Sequence, residues 1–351
     1  MIAPLLGLST EELCLVAEQE GEAAYRGRQL ATWVYRRAAH TLDEMTNLSK
    51  DFRKRLATGY EVGRARLAAA QHSSDGTTKL LLEMSDGAMV ETVGLPYDER
   101  FSCCVSTQVG CAVGCVFCAT GMSGLARNLT AGEIVEQVIA VQEAARDRAP
   151  ASGDDRAQID HITFMGMGEP LINYEATVKA LALLNNEMSI GARNMTVSTA
   201  GFVPGIKRLA REKLQVTLAV SLHAPNDALR RKLVPGMARW GVAEIIAECH
   251  DYFDRTGRRV TFEYCLLDGV NDGNAEAHQL ARALQGLNCH VNLIPYNHTE
   301  ALGFQTSPAG RARAFRDILE KAGMRVTQRV QRGADIDAAC GQLRRRVAES
   351  P

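Results

Sequence analysis

Residues 103–118 read Cys103-Cys104-Val-Ser-Thr-Gln-Val-Gly-Cys111-Ala-Val-Gly-Cys115-Val-Phe117-Cys118. The first part, Cys103–Thr107, carries β-branched and small residues and reads as a strand. A C-x3-C-x2-C run follows at once. Three thiolates at this spacing can wrap one corner of a metal centre. Structural zinc takes four ligands and closes its shell. A cubane iron–sulfur cluster held by three cysteines leaves one iron open to a small molecule. Cys104, offered as a fourth ligand, keeps the zinc alternative open at this point.

Outward from this stretch the pattern alternates. Further strand-like runs occur at His161–Met165, Met195–Thr199, Val216–Ser221, Val260–Leu266 and His290–Ile294, with helical patterns at Ala131–Arg146, Tyr174–Glu187 and Ala275–Leu284. Ile134, Val138 and Val141 make one apolar helical stripe. Six strand–helix units imply a parallel sheet, because a parallel return needs a crossover of that length. Periodicity fits an incomplete barrel and an open doubly wound sheet equally. In both, chemistry belongs at the carboxyl ends of the strands. Upstream, residues 1–56 read as short helices, with Thr10 as a cap before Glu11 and further turns at Arg28–Arg37 and Ser49–Leu56. Residues 64–98 read as a small linking hairpin, with runs at Thr78–Met84 and Ala88–Leu95 joined by Ser85-Asp86-Gly87. Two polar loops, 145–158 and 298–310, complete the outline.

The chain has 351 residues, enough for about two domains or one large α/β domain with an appendage. Hydrophobic residues at 46% and charged residues at 23% exclude a disordered chain. No apolar run reaches the roughly 18–20 residues that span a bilayer. The opening MIAPLLGLSTEEL has no basic leader, so a cytosolic protein is expected. In that setting five cysteines within residues 103–118 point to metal or redox chemistry rather than disulfides. Cys14, Cys249, Cys265 and Cys289 read as packed thiols, and Cys340 stands alone near the end. The net charge of −1 argues against a general polyanion binder. Yet residues 26–66 and 311–346 each carry ten bases against four acids, enough to meet phosphates. A solvated helical face explains the same charge.

Polar residues gather at the predicted strand ends. Met165-Gly-Met-Gly168-Glu169-Pro170 ends the second strand, Ser198-Thr199 the third and Ser221-Leu222-His223 the fourth; Asn297 follows the sixth. All of them open onto one end of the sheet.

The cysteine spacing, Phe117 before the last cysteine and the position after a first strand resemble the radical S-adenosylmethionine (SAM) superfamily. More specifically, Cys104-Val-Ser-Thr-Gln-Val-Gly-Cys111, Arg127-Asn-Leu, Met165–Pro170, Ser221-Leu-His-Ala-Pro-Asn226 and Gly333-Ala-Asp-Ile-Asp-Ala-Ala-Cys340-Gly-Gln-Leu343 resemble the RlmN/Cfr family of RNA adenosine methyltransferases. Asp43–Lys50 looks like that family's N-terminal domain, and the RlmN side is the nearer. The likeness runs from about residue 8 to 343.

The resemblance implies a radical SAM partial (β/α)6 barrel over 101–343, a helical RNA-binding accessory domain over 1–60, a linking β segment over 61–100 and a basic tail over 344–351. It implies a [4Fe-4S] cluster on Cys111, Cys115 and Cys118, and SAM bound by Gly168, Glu169, Ser198, Ser221, Leu222, His223 and Asn297. Two SAM molecules serve each turnover. One methylates Cys340; the other yields a 5′-deoxyadenosyl radical that takes a hydrogen atom from that methyl group. The resulting carbon radical adds to adenine and gives a protein–RNA adduct. Glu91 matches the family's proton acceptor, although a carboxylate in Val90-Glu91-Thr92 taken by itself reads as an exposed strand residue. Cys104 matches the thiol that resolves the adduct through a transient Cys104–Cys340 disulfide, and Cys103, facing away on a strand, is expected to be packed. The implied substrates are the peptidyl-transferase-centre adenosine of 23S rRNA and the adenosine 3′ of the anticodon (position 37) in certain tRNAs. Arg344–Arg346 are expected to contact phosphate. A flavodoxin or ferredoxin is the expected electron donor, and a monomer suffices. The sibling alternative is C8 methylation conferring antibiotic resistance. An alternative of another class is a zinc-stabilised RNA-binding protein without catalysis.

Overall fold

The computed structural model describes residues 2–148, 158–212, 214–297, 302–329 and 332–336. Three helices open the chain: α1 (Thr10–Gln19), α2 (Tyr25–Ala31) and α3 (Lys50–Gly59). Ser9, not Thr10, caps α1, because the Ser9 hydroxyl accepts from the Glu12 N–H while the Glu12 carboxylate accepts from the Ser9 N–H. Ser49 caps α3 in the same manner by accepting from the Phe52 N–H. A single π-type turn, Thr32–Arg36, extends α2.

Ten strands then form one sheet: β1 (Arg66–His72), β2 (Thr78–Glu83), β3 (Met89–Pro96), β4 (Phe101–Cys104), β5 (His161–Phe164), β6 (Met195–Thr199), β7 (Thr217–Ser221), β8 (Val260–Leu266), β9 (Cys289–Pro295) and β10 (Arg325–Gln328). Their order across the sheet is their order along the chain. Strands β1 to β4 pair antiparallel, and β4 to β10 pair parallel. The crossovers carry α4 (Ala131–Arg148), α5 (Tyr174–Asn186), α6 (Val203–Leu209), α7 (Asp227–Leu233), α8 (Val242–Thr256), α9 (Asn274–Ala283) and α10 (Ala309–Lys321).

The six expected parallel strands are present. Two findings go beyond that expectation. A seventh parallel strand, β10, closes the series, and the linking segment is no separate hairpin. It is a three-stranded extension that continues the barrel sheet through β3 and β4, with Val93 opposite Cys104. Both unexpected strands, β1 and β10, are sheet edges and largely exposed, so their sequences lack the apolar alternation that marks an inner strand.

The sheet is rolled. Val93 of β3, Cys104 of β4, Ser198 of β6, Glu263 of β8 and Ile294 of β9 border one cavity, which a flat sheet would not allow. The opposite residues, such as Cys103, Ile162, Val197, Val220, Phe262 and Val291, face the helices and form the main core. Cys103 is fully buried there, as expected from strand alternation. Gly94 lets α4 come close: a Cβ at Gly94 would lie 2.6 Å from Val141.

The N-terminal helices share this core rather than building one of their own. Leu13, Val16, Leu30 and Phe52 belong to the same buried cluster as Ile134 and Leu181. Thr10 donates to Glu187 through both its N–H and its hydroxyl, at 2.9 and 2.7 Å. Arg64 donates to Glu136 at 2.6 Å and to Glu143 at 2.5 Å, with Arg64 and Glu136 almost wholly buried. Among the described residues no helix is long and apolar enough to cross a membrane.

Candidate active site

The cysteine loop is held in shape by backbone contacts. Gln108–Gly110 pairs antiparallel with Leu125–Asn128 and brackets it. The Cys111 N–H donates to the Gly124 carbonyl at 2.8 Å. Gly110 has φ +84°, and a Cβ there would lie 1.9 Å from the Gly124 oxygen, so this turn admits only glycine. Beyond it, Val116 N–H donates to Leu233 O at 3.1 Å and Gly236 N–H to Val113 O at 2.9 Å. These bonds pin the loop to the end of α7.

Cys111, Cys115 and Cys118 border one cavity of about 370 Å³ at the carboxyl ends of the strands. Burial pushes the Cys111 thiol up to about 11, and burial also raises Cys115, against the Arg230 charge that favours its thiolate. Such thiols need a cation to hold them as thiolates, which is what iron supplies. Among the described residues, no three Cys, His, Asp or Glu side chains converge as ligands of a single ion. All three thiols border the one cavity, and three cysteine thiolates are the donor set of a cubane cluster with one open corner.

The strand ends supply the rest of the wall. Gly168, Glu169, Ser198, Ser221, His223 and Asn297 all reach it. Glu169 is buried, and its two oxygens accept from the N–H groups of Leu171 (3.1 Å) and Ala200 (2.6 Å). Burial lifts its carboxyl to about 7 against those bonds. The glycines beside it serve a close approach to protein: a Cβ at Gly166 would lie 2.6 Å from Ser106 Oγ, and one at Gly168, whose φ is +105°, would lie 2.6 Å from Gln108 Cβ. Ser106 in turn ties β3 to this loop, donating to Glu91 O and accepting from Met167 N–H. The Ser198 and Ser221 hydroxyls lie 3.5 Å apart on neighbouring strands.

His223 holds a left-handed backbone, φ 57°. Its Nδ1 accepts from the Cys265 N–H at 3.0 Å, and its ring meets Phe117 edge-on at 4.8 Å. Burial, then the Arg230 charge, lowers its pKa to about 3. The ring is therefore neutral, and with Nδ1 accepting, the proton sits on Nε2.

Two expected residues lie elsewhere. The Leu222 side chain is in the core, and only its backbone is near the site, accepting from the Arg230 guanidinium at 2.6 Å. Glu91 is not the exposed strand residue its local sequence suggests. It is 3% exposed and lies on the same face of β3 as Val93, paired at 2.9 Å with Lys79, which is 0% exposed. Cys104 is 8% exposed and packs with Val93, Leu95, Tyr97 and Met165 in the cavity wall. Cys340 and Arg344–Arg346 lie outside the described residues, as do residues 149–157 of one polar loop and 298–301 of the other.

Several site residues escaped the sequence reading. Arg230, 1% exposed, donates to the carbonyls of Leu222, Ser221 and Ala200 and so ties the ends of β6 and β7 together. It sits in an Arg-Arg-Lys run that looks like an exposed face. Cys265, read as a packed thiol, is buried but borders the cavity, as do Glu263, Arg329 and Arg332. Lys79 had a usable signal: one lysine in the apolar strand Thr78–Glu83, opposite a strand carrying a glutamate.

Comparison with known proteins agrees with this geometry. Residues 105–281 match the radical SAM superfamily, and residues 3–62 match the ribosomal RNA large subunit methyltransferase N-terminal domain. A probable dual-specificity RNA methyltransferase RlmN of Gloeobacter violaceus is 48% identical over 99% of this chain and 96% of its own length. Its counterpart in Trichormus variabilis is 46% identical over 98% and 94%. The chain belongs to the RlmN family of radical SAM methyltransferases. A crystal structure of a radical SAM methyltransferase from Sphaerobacter thermophilus superposes with a TM-score of 0.92, at 50% identity, over 97% of this chain and 98% of that one. Membership in the RlmN family carries a [4Fe-4S] cluster and SAM as cofactors, which the three-thiol cavity accommodates.

Proposed function

We propose that this chain methylates carbon 2 of adenosine in RNA, at the peptidyl-transferase centre of 23S rRNA and at position 37 of certain tRNAs. The observation that carries the reading is the place of Cys104: it borders the same cavity as the three cluster cysteines. The relatives' names as dual-specificity RNA methyltransferases support RNA as the substrate. An adenine C2 is electron-poor and does not attack a sulfonium, so transfer needs a carbon-radical route through a protein-bound methyl group.

Cys111, Cys115 and Cys118 would hold the cluster. Gly168, Glu169, Ser198, Ser221, His223 and Asn297, with the backbone of Leu222, would hold SAM. The cluster and SAM together supply a hydrogen-abstracting carbon radical. Cys340 would first take a methyl group from the sulfonium of one SAM as a thiolate nucleophile, a second SAM serving the radical step. Glu91, with the Lys79 ammonium as its ion-pair partner, would accept the proton lost from the adenine ring. Cys104 would then attack the Cys340 sulfur. The sulfur–methylene bond breaks, its electron pair goes to the carbon, that carbon takes a proton, and a Cys104–Cys340 disulfide forms. A flavodoxin- or ferredoxin-like carrier would supply one electron for SAM cleavage, take up the one electron that the radical adduct releases as the ring loses its proton, and supply the two that reopen the disulfide. Residues 1–60 would contact RNA as an accessory domain, 61–100 would link it to the core at 101–343, and Arg344–Arg346 in the 344–351 tail would meet phosphate near the mouth. The target base would leave its stack to reach the cavity. A cytoplasmic monomer satisfies every step.

Nucleoside mass spectrometry tests the reading. The protein is reconstituted anaerobically with iron and sulfide and given SAM, reductant and unmodified 23S rRNA fragment or tRNA. 2-Methyladenosine is expected, and it should vanish with Cys340→Ala. Formation of 8-methyladenosine, or a colourless zinc protein that leaves RNA unchanged, overturns the reading.

A further inference from the structure

Past β10 the chain changes partners. The Arg329 N–H still donates to Leu293 O of β9, at 2.8 Å. Three residues later the chain lies against the other end of the sheet. Arg332 Nη1 donates to the Pro96 carbonyl at 2.8 Å, and its guanidinium stands 4.4 Å from the centre of the Tyr97 ring. The Arg100 guanidinium stands 4.5 Å from the same ring. Gly333 N–H donates to Asp75 at 2.9 Å. Asp335 accepts from the Ser73 hydroxyl at 2.5 Å and from the Ser74 N–H at 3.1 Å. The hydrogen-bond partners lie 236 to 262 residues away in sequence. Burial would raise the Asp75 carboxyl, but hydrogen bonds from the Gly333 and Thr77 N–H groups outweigh it and hold it well below the ordinary carboxylate range.

The turn between β1 and β2 therefore does more than reverse the chain. Ser73, Ser74 and Asp75 all bind the 333–335 segment, and the β3–β4 turn holds Arg332. Tyr97 and Arg332 border the cavity together with Cys104. Cys340 follows Asp335 by five residues. Five extended residues span at most about 18 Å of backbone, so the chain length from Asp335 to residue 340 is a short tether. A tether this short keeps the effective concentration of a thiol at its target in the millimolar range or above.

We infer that Ser73, Asp75, Tyr97, Arg332 and Asp335 are positioning residues: they dock the segment 332–336 across the open side of the barrel and so present Cys340 to Cys104 and to the base. The inference rests on the proposed role of Cys340 as methyl carrier. It assigns the antiparallel extension a function beyond linking two domains.

Hydrogen–deuterium exchange on the full-length holoenzyme, paired with single-turnover methyl transfer to RNA, tests it. Asp335→Ala changes an exposed side chain that does not border the cavity, and Arg332→Leu one that does. In both, exchange across 332–336 should rise toward that of unstructured chain. Methyl transfer should fall about 100-fold, the loss expected of a misplaced reacting group. In Asp335→Ala, iron content and SAM cleavage without RNA should stay at wild-type levels. Arg332→Lys keeps the donor to Pro96 but loses the planar stack, so it should recover part of the lost transfer. Unchanged exchange in both variants overturns the dock. Raised exchange with undiminished transfer overturns the positioning role. A fully active Cys340→Ala overturns the premise about Cys340, while the exchange measurement still reports the docking by itself.

Discussion

Arg230 gathers three backbone carbonyls on one side chain. Its guanidinium is buried and bridges the carbonyls at the ends of β6 and β7, the two strands that deliver Ser198 and Ser221. Arg230→Met would leave those carbonyls buried without their donor, at about 1–3 kcal/mol each. The expected result is a large drop in SAM affinity by equilibrium dialysis, with secondary structure retained. Lys79 and Glu91 make the other case at this scale. Lys79→Met removes the buried ammonium that pairs with the Glu91 carboxylate and should cost about 3–5 kcal/mol in urea unfolding; a loss under 1 kcal/mol would mean that the pair contributes little to the fold. Cys104→Ala should leave the fold intact and trap RNA covalently on the protein, visible as a shifted band in a denaturing gel. Normal turnover of that variant would remove Cys104 from the chemistry.

Elements explain both the legible and the hidden parts of the sequence. The inner parallel strands announced themselves because each is apolar on the helix-facing side and ends in a turn. Met195–Thr199 and Val260–Leu266 match their expected bounds residue for residue. Edge strands carry no such pattern, which is why Arg66–His72 and Arg325–Gln328 were not read. The cysteine loop was legible because three ligands lie within eight residues. Glu91 was misread locally because burial of a charge depends on its partner in another strand, and no single strand records that. Gly110 belongs to the loop's own scale. Gly110→Ala forces a strained turn worth about 1–3 kcal/mol and a clash with Gly124. Iron content after reconstitution should fall well below wild type while the circular dichroism spectrum holds. The docked segment also responds to acid. Hydrogen bonds from Ser73 and Ser74 lower the Asp335 carboxyl, and Asp75 is lowered as well. A depressed carboxylate stabilises the docked state fully above the unfolded pKa of about 3.9 and loses that contribution as pH falls below it. Exchange across 332–336 should therefore rise from about pH 4 downward, earlier than exchange in β7.

Across the whole molecule, the N-terminal helices and the barrel behave as one packed body. Arg64 joins them through Glu136 and Glu143 of α4. Arg64→Met leaves the Glu136 carboxylate buried beside no cation and should cost about 3–5 kcal/mol in a single cooperative transition. Two separate transitions in the wild-type protein would show instead that the N-terminal helices are an independent unit. The expected division at residue 60 rested on the change from helical to strand-like pattern. That change is real, but a shared core is invisible to periodicity.

The sheet order, in which each strand lies beside its neighbour in the chain, bears on how the protein is made. Every strand can find its partner as soon as it is synthesised, without waiting for a distant segment. The sheet can thus grow from β1 to β10 behind the ribosome, as a scroll unrolls. The contacts of Arg332, Gly333 and Asp335 with Pro96, Asp75 and Ser73 differ from these pairings, because they join segments 236 to 262 residues apart. Closing a loop of that length is slow and comes after the local pairings that precede it. The nascent chain therefore holds an open barrel until Arg332, Gly333 and Asp335 emerge, and the far edge of the sheet is tied to the turn between β1 and β2 only once the strands between them are in place.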